Sequence, residues 1–193
     1  IGAHHGVSYA LTGEGPAVQV RAGRATSGVF EAIGIRPLLG RTFVPEEEVA
    51  GADRVAVLTH RLWQRRFGGD PDVVGRAIRL DGESYTVVGV LPREFTYAPS
   101  MELWTPRSFT ERDLTTQRGA HYLTVLARLK PGVGLERARA ELGTIADRLA
   151  AEYPNTNDRM GATAIPLHEV MVGDVRPALL LLNKIDRIAK ERL

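Results

Sequence analysis

The pattern of apolar and polar residues is most regular in the second half of the chain. Residues 121–129 alternate between the two kinds, which predicts a strand with one buried face. In residues 135–153 apolar side chains recur at steps of three and four, which predicts an amphipathic helix that ends at Pro154. Its expected buried stripe consists of Leu135, Ala138, Leu142, Ile145 and Leu149. With another strand expected at residues 162–167, this part predicts a strand-helix-strand unit.

A second set of elements is expected in the middle of the chain. Residues 55–59 are a short apolar run that predicts a strand, and residues 60–67 carry apolar side chains at helical spacing. The pair Asp81-Gly82 favours the positive φ angles of a tight hairpin turn. It separates residues 76–80 from residues 83–90, and the latter are rich in β-branched side chains. These residues therefore predict a β-hairpin.

The remaining segments are assigned from their local composition. They comprise a turn at residues 12–16, a strand at 17–25, a short helix at 28–34, a solvated acidic turn at Glu46-Glu47-Glu48, a strand end at 102–106 and an exposed loop at 109–119. Residues 18–57 also permit a second strand-helix-strand unit, which would pair with the later one.

Composition excludes several classes of function. The 193 residues carry a net charge of only +2 and no basic block with interleaved aromatic residues, so nucleic acid is not an expected partner. The chain contains no cysteine, which excludes disulfides and thiolate metal sites. The longest apolar run, residues 178–182, is far short of the roughly 20 residues that a membrane-spanning helix needs.

The sequence offers no convincing catalytic or metal-binding motif. His4 and His5 are adjacent, so on a strand they would face opposite sides, and they are interpreted as terminal surface histidines. His168-Glu169 begins like a zinc-protease motif, but Val172 stands where the second histidine would be. Residues 183–186 match the guanine-reading motif of GTPases without the phosphate loop that should precede it. We therefore expect no enzymatic activity, no cofactor and no metal site.

Aromatic and basic side chains give a candidate interaction surface, although each has a structural alternative. The surface consists of Trp63, Arg65, Arg66 and Trp104. Aromatic residues are enriched at the energetic centres of interfaces, but at helical spacing they more often belong to the core. The arginines could pair with acidic groups of a partner, or they could form a solvated face.

Several stretches resemble the MacB-like periplasmic core domain of ABC-transporter permeases, especially the large duplicated permeases of acidobacteria. The matching residues are 26–43, 55–71, 74–76, 85–92 and 126–132, and their order and spacing agree with that family. The resemblance covers most of residues 18–175. In the family, a segment like residues 173–177 leads into a transmembrane helix, whereas here the charged residues from Asn183 follow.

The resemblance implies an α+β domain with two lobes. Residues 1–175 would form the domain, and residues 176–193 would begin a truncated or replaced membrane-proximal segment. The first lobe (about 1–54 and 120–175) would contain the strand-helix-strand units near both ends of the chain. The second lobe (about 55–119) would be a β-rich insertion that carries the hairpin.

The implied function is non-catalytic. The domain would lie on the periplasmic or extracellular side of the inner membrane and relay conformational change between the membrane and a substrate or partner protein. Its partners would be the rest of the permease, the cytoplasmic ATPase subunit and a second permease copy or a periplasmic protein. The alternative is a soluble binding module that captures a small molecule or lipid between its lobes, which requires a concave apolar pocket.

Overall fold

The structure is a computed structural model that describes residues 1–13, 15–115 and 119–172. It is a mixed α+β fold whose chain divides into two compact units, Ile1–Arg128 and Leu129–Leu193. The described strands are β1 (Gly2–Thr12), β2 (Val18–Ala25), β3 (Leu39–Gly40), β4 (Val55–Leu58), β5 (Ala77–Leu80), β6 (Glu83–Val90), β7 (Leu103–Pro106) and β8 (Thr124–Leu126). The described α-helices are α1 (Gly28–Ile33), α2 (His60–Phe67), α3 (Glu111–Thr115), α4 (Leu135–Glu152), α5 (Pro154–Asn157) and α6 (Leu167–Val172).

The first unit is built around a barrel-like sheet. Six strands follow one another in the order β1, β2, β7, β4, β6 and β5, and β5 pairs again with β1. The pairs β2–β7 and β4–β6 are parallel, and the other neighbours in this ring are antiparallel. Strands from the segments assigned to the first and second lobes thus share one closed sheet, while the division into lobes stays a prediction.

Side chains of alternate residues fill the interior of the barrel. Leu11 on β1, Val20 on β2 and Leu103 on β7 belong to one fully buried apolar cluster. Helix α2 adds Leu62 and Phe67 to the same cluster, so it covers the end of the barrel to which β4 leads. The predicted helix at residues 60–67 is confirmed with the same bounds. The helix begins there because the Thr59 hydroxyl caps it by accepting a hydrogen bond from the Leu62 N–H.

A second apolar cluster covers part of the outer face. Trp104 follows Leu103 along β7 and therefore points away from the interior of the barrel. On the outer face it packs against Phe30 of α1, with ring centroids 5.7 Å apart. Both faces of β7 are consequently buried. This explains why β7 carries no alternation of polar and apolar residues and was predicted only as a strand end.

The hairpin predicted around Asp81-Gly82 is confirmed. β5 and β6 are antiparallel with Leu80 opposite Glu83, and the two turn residues have φ angles of 51° and 84°. Asp81 also accepts a hydrogen bond of 2.7 Å from the backbone N–H of Ala10 on β1. The turn that shapes the hairpin thereby also holds the closing strand of the barrel.

The predicted strand at residues 162–167 is wrong. Residues 161–166 have no regular structure, and α6 begins at Leu167 after Pro166. The strand expected at residues 121–129 is shorter, since β8 pairs only with the first three residues of β1. A strand-helix-strand unit is therefore absent from the described residues of this part. The buried face predicted from alternation in residues 121–129 is also wrong, since Val125 and Leu129 are exposed.

Helix α4 confirms the long helix predicted from periodicity, although its apolar stripe is only partly covered. Of the five members of the stripe, Ile145 is exposed and the other four are half-buried, while Ala146 is the buried residue of this helix. No described helix combines the length and apolar character needed to cross a bilayer. The predictions for residues 173–193, including the GTPase-like motif, lie outside the described residues.

Candidate functional site

The two predicted surface tryptophans lie in the core. Trp104 has no exposed surface, and Trp63 is 8% exposed, with its Nε1 donating a hydrogen bond of 2.8 Å to the carbonyl oxygen of Asp70. They belong to different apolar clusters, one outside the barrel and one inside it. The structural alternative is thus confirmed for both residues.

Arg65 and Arg66 remain at the surface of α2. Arg65 forms a salt bridge of 2.6 Å with Glu102, which is buried except for 12% of its side chain. Arg66 donates a hydrogen bond of 2.8 Å to the carbonyl oxygen of Pro16 in the first turn of the chain. Their role in binding a partner stays a prediction, while the tryptophans are too buried to contribute to the same surface.

The end of the barrel opposite α2 carries a cluster of polar side chains that we call the polar end. It consists of His5, Arg24, Asp53, Arg107, Asp113 and Tyr122. Strand register explains the grouping, because His5 on β1 lies opposite Arg24 on β2, and Arg24 lies opposite Thr105 on β7. β7 ends at Pro106, and Arg107 follows it directly at the same end of the barrel.

Arg107 is the most deeply buried charge of the polar end. Its Nη2 donates hydrogen bonds of 2.8 Å to Asp113 Oδ1 and 2.5 Å to Tyr122 Oη. The guanidinium carbon lies 5.0 Å from the ring centroid of Phe109 and 5.7 Å from that of Tyr122. Its backbone N–H is bonded to the carbonyl oxygen of Ala25. Arg107 therefore ties the segment that follows β7 to the barrel through both backbone and side chain.

Asp113 is held in its ionised form by the start of α3. The backbone N–H and the hydroxyl of Thr110, followed by the Arg107 guanidinium, lower the pKa of Asp113 to about 2. The Asp113 N–H is in turn bonded to the Thr110 hydroxyl, which completes a reciprocal cap. The exposed loop predicted at residues 109–119 is wrong here, and the Thr-x-x-Asp spacing was the sequence signal that could have identified the helix.

Asp53 connects β4 to the same end of the barrel. Ser108 Oγ donates a hydrogen bond of 2.8 Å to Asp53 Oδ2, whereas Arg24 Nη2 lies at the longer distance of 3.5 Å from this oxygen. Arg24 keeps 28% of its side chain exposed, so the polar end is open to solvent on this side.

His5 is neutral at ordinary pH because of its surroundings. Burial, together with the positive charges of Arg107 and Arg24, lowers the pKa of His5 to about 4. Its ring packs edge-on against Tyr122 with centroids 5.2 Å apart. His4 points to the outer face, where its Nε2 lies 2.6 Å from Tyr97 Oη and burial lowers its pKa. The interpretation of both residues as surface histidines is wrong, although the prediction that they face opposite sides is confirmed.

Three buried nitrogen atoms at the polar end have no hydrogen-bond partner in the described structure. They are His5 Nδ1, Arg24 Nε and Arg107 Nε. Buried N–H groups are almost always paired. Of the five unpartnered buried side-chain nitrogens among the described residues, these three belong to the polar end, and the other two, His4 Nδ1 and Trp104 Nε1, lie on the outer face.

The acidic turn at residues 46–48 is also not solvated as predicted. Glu47 is buried and accepts hydrogen bonds of 2.6 Å and 2.9 Å from Arg41, and its carboxylate also accepts the Val44 N–H. Burial opposes ionisation, but these hydrogen bonds outweigh it and lower the pKa of Glu47. Glu48 accepts the N–H and the hydroxyl of Ser27, which precedes α1.

Among the described residues, no group of three or more His, Asp or Glu side chains is arranged to hold a metal ion. A depression lined by Leu11, Arg66, Phe67 and Ile78 encloses about 190 Å³. That volume is below the roughly 300–1,000 Å³ of typical ligand pockets. A second depression, lined by Gly6, Val7, Ser8, Arg21 and Met101, has a volume of about 330 Å³, at the lower end of that range, so the binding-module alternative stays a prediction.

The sequence matches a known family. The sequence model of the MacB-like periplasmic core domain matches residues 2–145, a range that contains every strand described above. No curated protein matches the sequence.

Solved structures similar to this chain share its fold at low sequence identity. The extracellular domain of the noncanonic ABC-type transporter YknZ from Gram-positive bacteria is 14% identical with a TM-score of 0.55, over 79% of this chain and 75% of that chain. The periplasmic region of MacB from Actinobacillus actinomycetemcomitans is 16% identical with a TM-score of 0.56, over 81% and 68%. A domain of a putative permease protein from Porphyromonas gingivalis is 17% identical with a TM-score of 0.55, over 80% and 68%.

Proposed function

Because this chain belongs to the family of MacB-like periplasmic core domains, we propose that it is a non-catalytic extracytoplasmic domain that relays conformational change in an ABC-transporter permease. The family match over residues 2–145 carries this proposal. The proposed location is the periplasmic or extracellular side of an inner-membrane protein. The proposed partners are the rest of the permease, its cytoplasmic ATPase and a second permease copy or a periplasmic protein.

The packing of the barrel is suited to such a role. Close-packed interiors resist deformation and move as rigid bodies, so they can transmit displacement from one contact surface to another. Here the sheet is closed, and apolar clusters fill its interior and cover part of its outer face. Most of the charged side chains described at its polar end are engaged in ion pairs that fix the adjoining segment to the barrel.

The relay can be tested in the intact permease with its ATPase in proteoliposomes. Replacing residues 2–126 with a flexible Gly/Ser linker should abolish transport while ATP hydrolysis continues, because the mechanical connection is lost. Co-purification of the ATPase establishes that the complex has assembled. Transport at the original rate without these residues would contradict the proposal.

Partner contact through α2 is tested by a milder change. The variant Arg65→Gln/Arg66→Gln should weaken association with the periplasmic partner or second copy, because it removes two positive charges from the surface of α2. The matched control is Arg36→Gln/Arg93→Gln, which removes the same charge at two other exposed positions. Equal association in both double variants would exclude α2 as the contact surface.

A further inference from the structure

We propose that the polar end of the barrel binds a small carboxylate anion through Arg24 and Arg107. The observation behind this is the set of buried nitrogen atoms there. Arg107 is 7% exposed, and its Nε has no hydrogen-bond partner, although its Nη2 has two. Arg24 Nε is buried and unpartnered in the same way.

The geometry of the guanidinium group points to the class of ligand. An arginine side chain can present Nε–H and Nη2–H side by side, and a carboxylate accepts both through parallel hydrogen bonds. Arg24 can do this, because its Nη2 makes only a long contact with Asp53. Arg107 adds a single Nε–H, since its Nη2 is already bonded to Asp113 and Tyr122. Arg24 lies opposite Thr105 on β7, two residues before Arg107, so both groups belong to the same end of the barrel. An Nε–H is always a donor, which means that the missing partner must be an acceptor.

The carboxylates already present do not fill this role. Asp113 accepts hydrogen bonds from Thr110 and from Arg107 Nη2, and Asp53 accepts the hydroxyl of Ser108. Neither makes a hydrogen bond with Arg24 Nε or Arg107 Nε. The exposed part of the Arg24 side chain gives an anion access from solvent.

Charge balance couples the site to His5. The two arginines and the two aspartates compensate one another, so an added carboxylate leaves one negative charge. Proton uptake by His5 would offset it. The charged groups that act on His5 are Arg107 after β7, Arg24 on β2, His4 on the opposite face of β1 and Asp113 on α3, and the ring of Tyr122 packs against it. A bound anion would weaken the effect of both arginines, so it should bind more tightly as the pH falls.

The probe for the test is formate, which stays ionised between pH 5 and pH 7. It is titrated against the 193-residue chain at constant ionic strength, with chloride as the replaced anion. The readouts are the arginine Nε–H signals of the ¹⁵N-labelled chain and its thermal midpoint. We expect saturable shifts of the Arg24 and Arg107 signals and a saturable rise of the midpoint.

Arg24→Gln is the main variant, because its contact with Asp53 is long and its loss should not prevent folding. Formate affinity should fall by about tenfold, which corresponds to the loss of one charge-assisted hydrogen bond. Arg107→Lys keeps the buried charge and should weaken binding as well, since lysine lacks the Nε–H donor. The exposed Arg93→Gln is the matched control and should bind formate normally.

Two results would overturn the proposal. One is the absence of any saturable response to formate beyond that to chloride, which would mean that water alone satisfies these nitrogens. The other is an unchanged affinity in Arg24→Gln. In the wild type, affinity should be several-fold higher at pH 5 than at pH 7, and a persisting pH dependence in His5→Gln would overturn the coupling. The relay proposal does not depend on either outcome.

Discussion

Gly23 on β2 lies directly against the indole ring of Trp104 on the paired strand β7. A Cβ atom at Gly23 would stand 2.3 Å from both Cε3 and Cζ3 of that ring. The ring is fully buried between the sheet and α1, so it has no room to withdraw. The absence of a side chain at residue 23 is therefore what allows the tryptophan to pack flat on the outer face.

Gly23→Ala should destabilise the first unit. Overpacking of a filled core typically costs about 1–3 kcal/mol, and we expect a loss of unfolding free energy in this range by urea denaturation. The control is Gly6→Ala, since Gly6 is the cross-strand partner of Gly23 and its Cβ would meet only the methyl end of Met101 at 3.2 Å. Equal stability of the two variants would contradict this account of Trp104 packing.

Glu47→Ala should destabilise the protein at neutral pH by about 1–2 kcal/mol, because it leaves the Val44 N–H and Arg41 without their acceptor. The exposed Glu46→Ala should change stability little. The pKa of Glu47 is lowered from its ordinary 4.5, so its contribution is present above that pH and disappears as the pH falls through the folded-state pKa. Urea denaturation at several pH values measures the loss of stability and its pH dependence. Equal unfolding free energies of Glu47→Ala and Glu46→Ala at pH 7 would contradict this prediction.

His5 should make the fold less stable in mild acid. Its pKa is 6.5 in a model peptide and about 4 in the folded chain. Between these values the unfolded chain takes up a proton that the folded chain does not, so the free energy of unfolding falls as the pH drops from 6.5 to 4. His4 contributes with the same sign, because burial lowers its pKa too.

His5→Gln should consequently reduce this acid slope, as measured by urea denaturation in chloride salts of amine buffers. His121→Asn serves as the control, since His121 is exposed and asparagine tolerates its positive φ of 42°. An unaltered slope in His5→Gln would show that the polar end does not hold this histidine neutral.

A disulfide across the closing seam of the barrel tests whether the two predicted lobes move against each other. Thr12 on β1 and Arg79 on β5 are antiparallel partners, and their neighbours Leu11 and Leu80 point inward. The chain contains no other cysteine, so Thr12→Cys/Arg79→Cys can form one defined bond. Because both strands belong to one closed sheet, we expect the oxidised variant to transport at the same rate as the reduced one in proteoliposomes. Loss of transport on oxidation would support movement between the lobes.

Local elements were the part of the fold that the sequence could predict. Helix α2, the Asp81-Gly82 hairpin and helix α4 follow from neighbouring residues, namely apolar side chains at helical spacing in the two helices and a turn that requires positive φ in the hairpin. Of the two strands expected in the second half of the chain, the one at residues 121–129 is shorter than predicted and the one at residues 162–167 is absent. A strand needs a partner, and β8 reaches only as far as the start of β1 allows.

The candidate site could not be predicted in the same way. Its members are spread over residues 5–122, and they meet only because β1, β2 and β7 are adjacent in the closed sheet. Trp63 and Trp104 illustrate the same limit, since composition could not decide between core and surface for either residue. The Thr-x-x-Asp cap before α3 was the exception, being a local signal within the site.

By itself, the sequence determined the family, the Asp81-Gly82 turn, helices α2 and α4 and the absence of cysteine chemistry, since all of these depend on residues close together in the chain or on composition. Only the tertiary structure decided that the sheet closes, that Glu47 and Arg107 are buried charges with partners, and that the charges of Arg24 and Arg107 act on His5. Burial and pKa depend on which residues from distant segments come within a few ångströms of one another, and that is set by strand order and register rather than by local pattern.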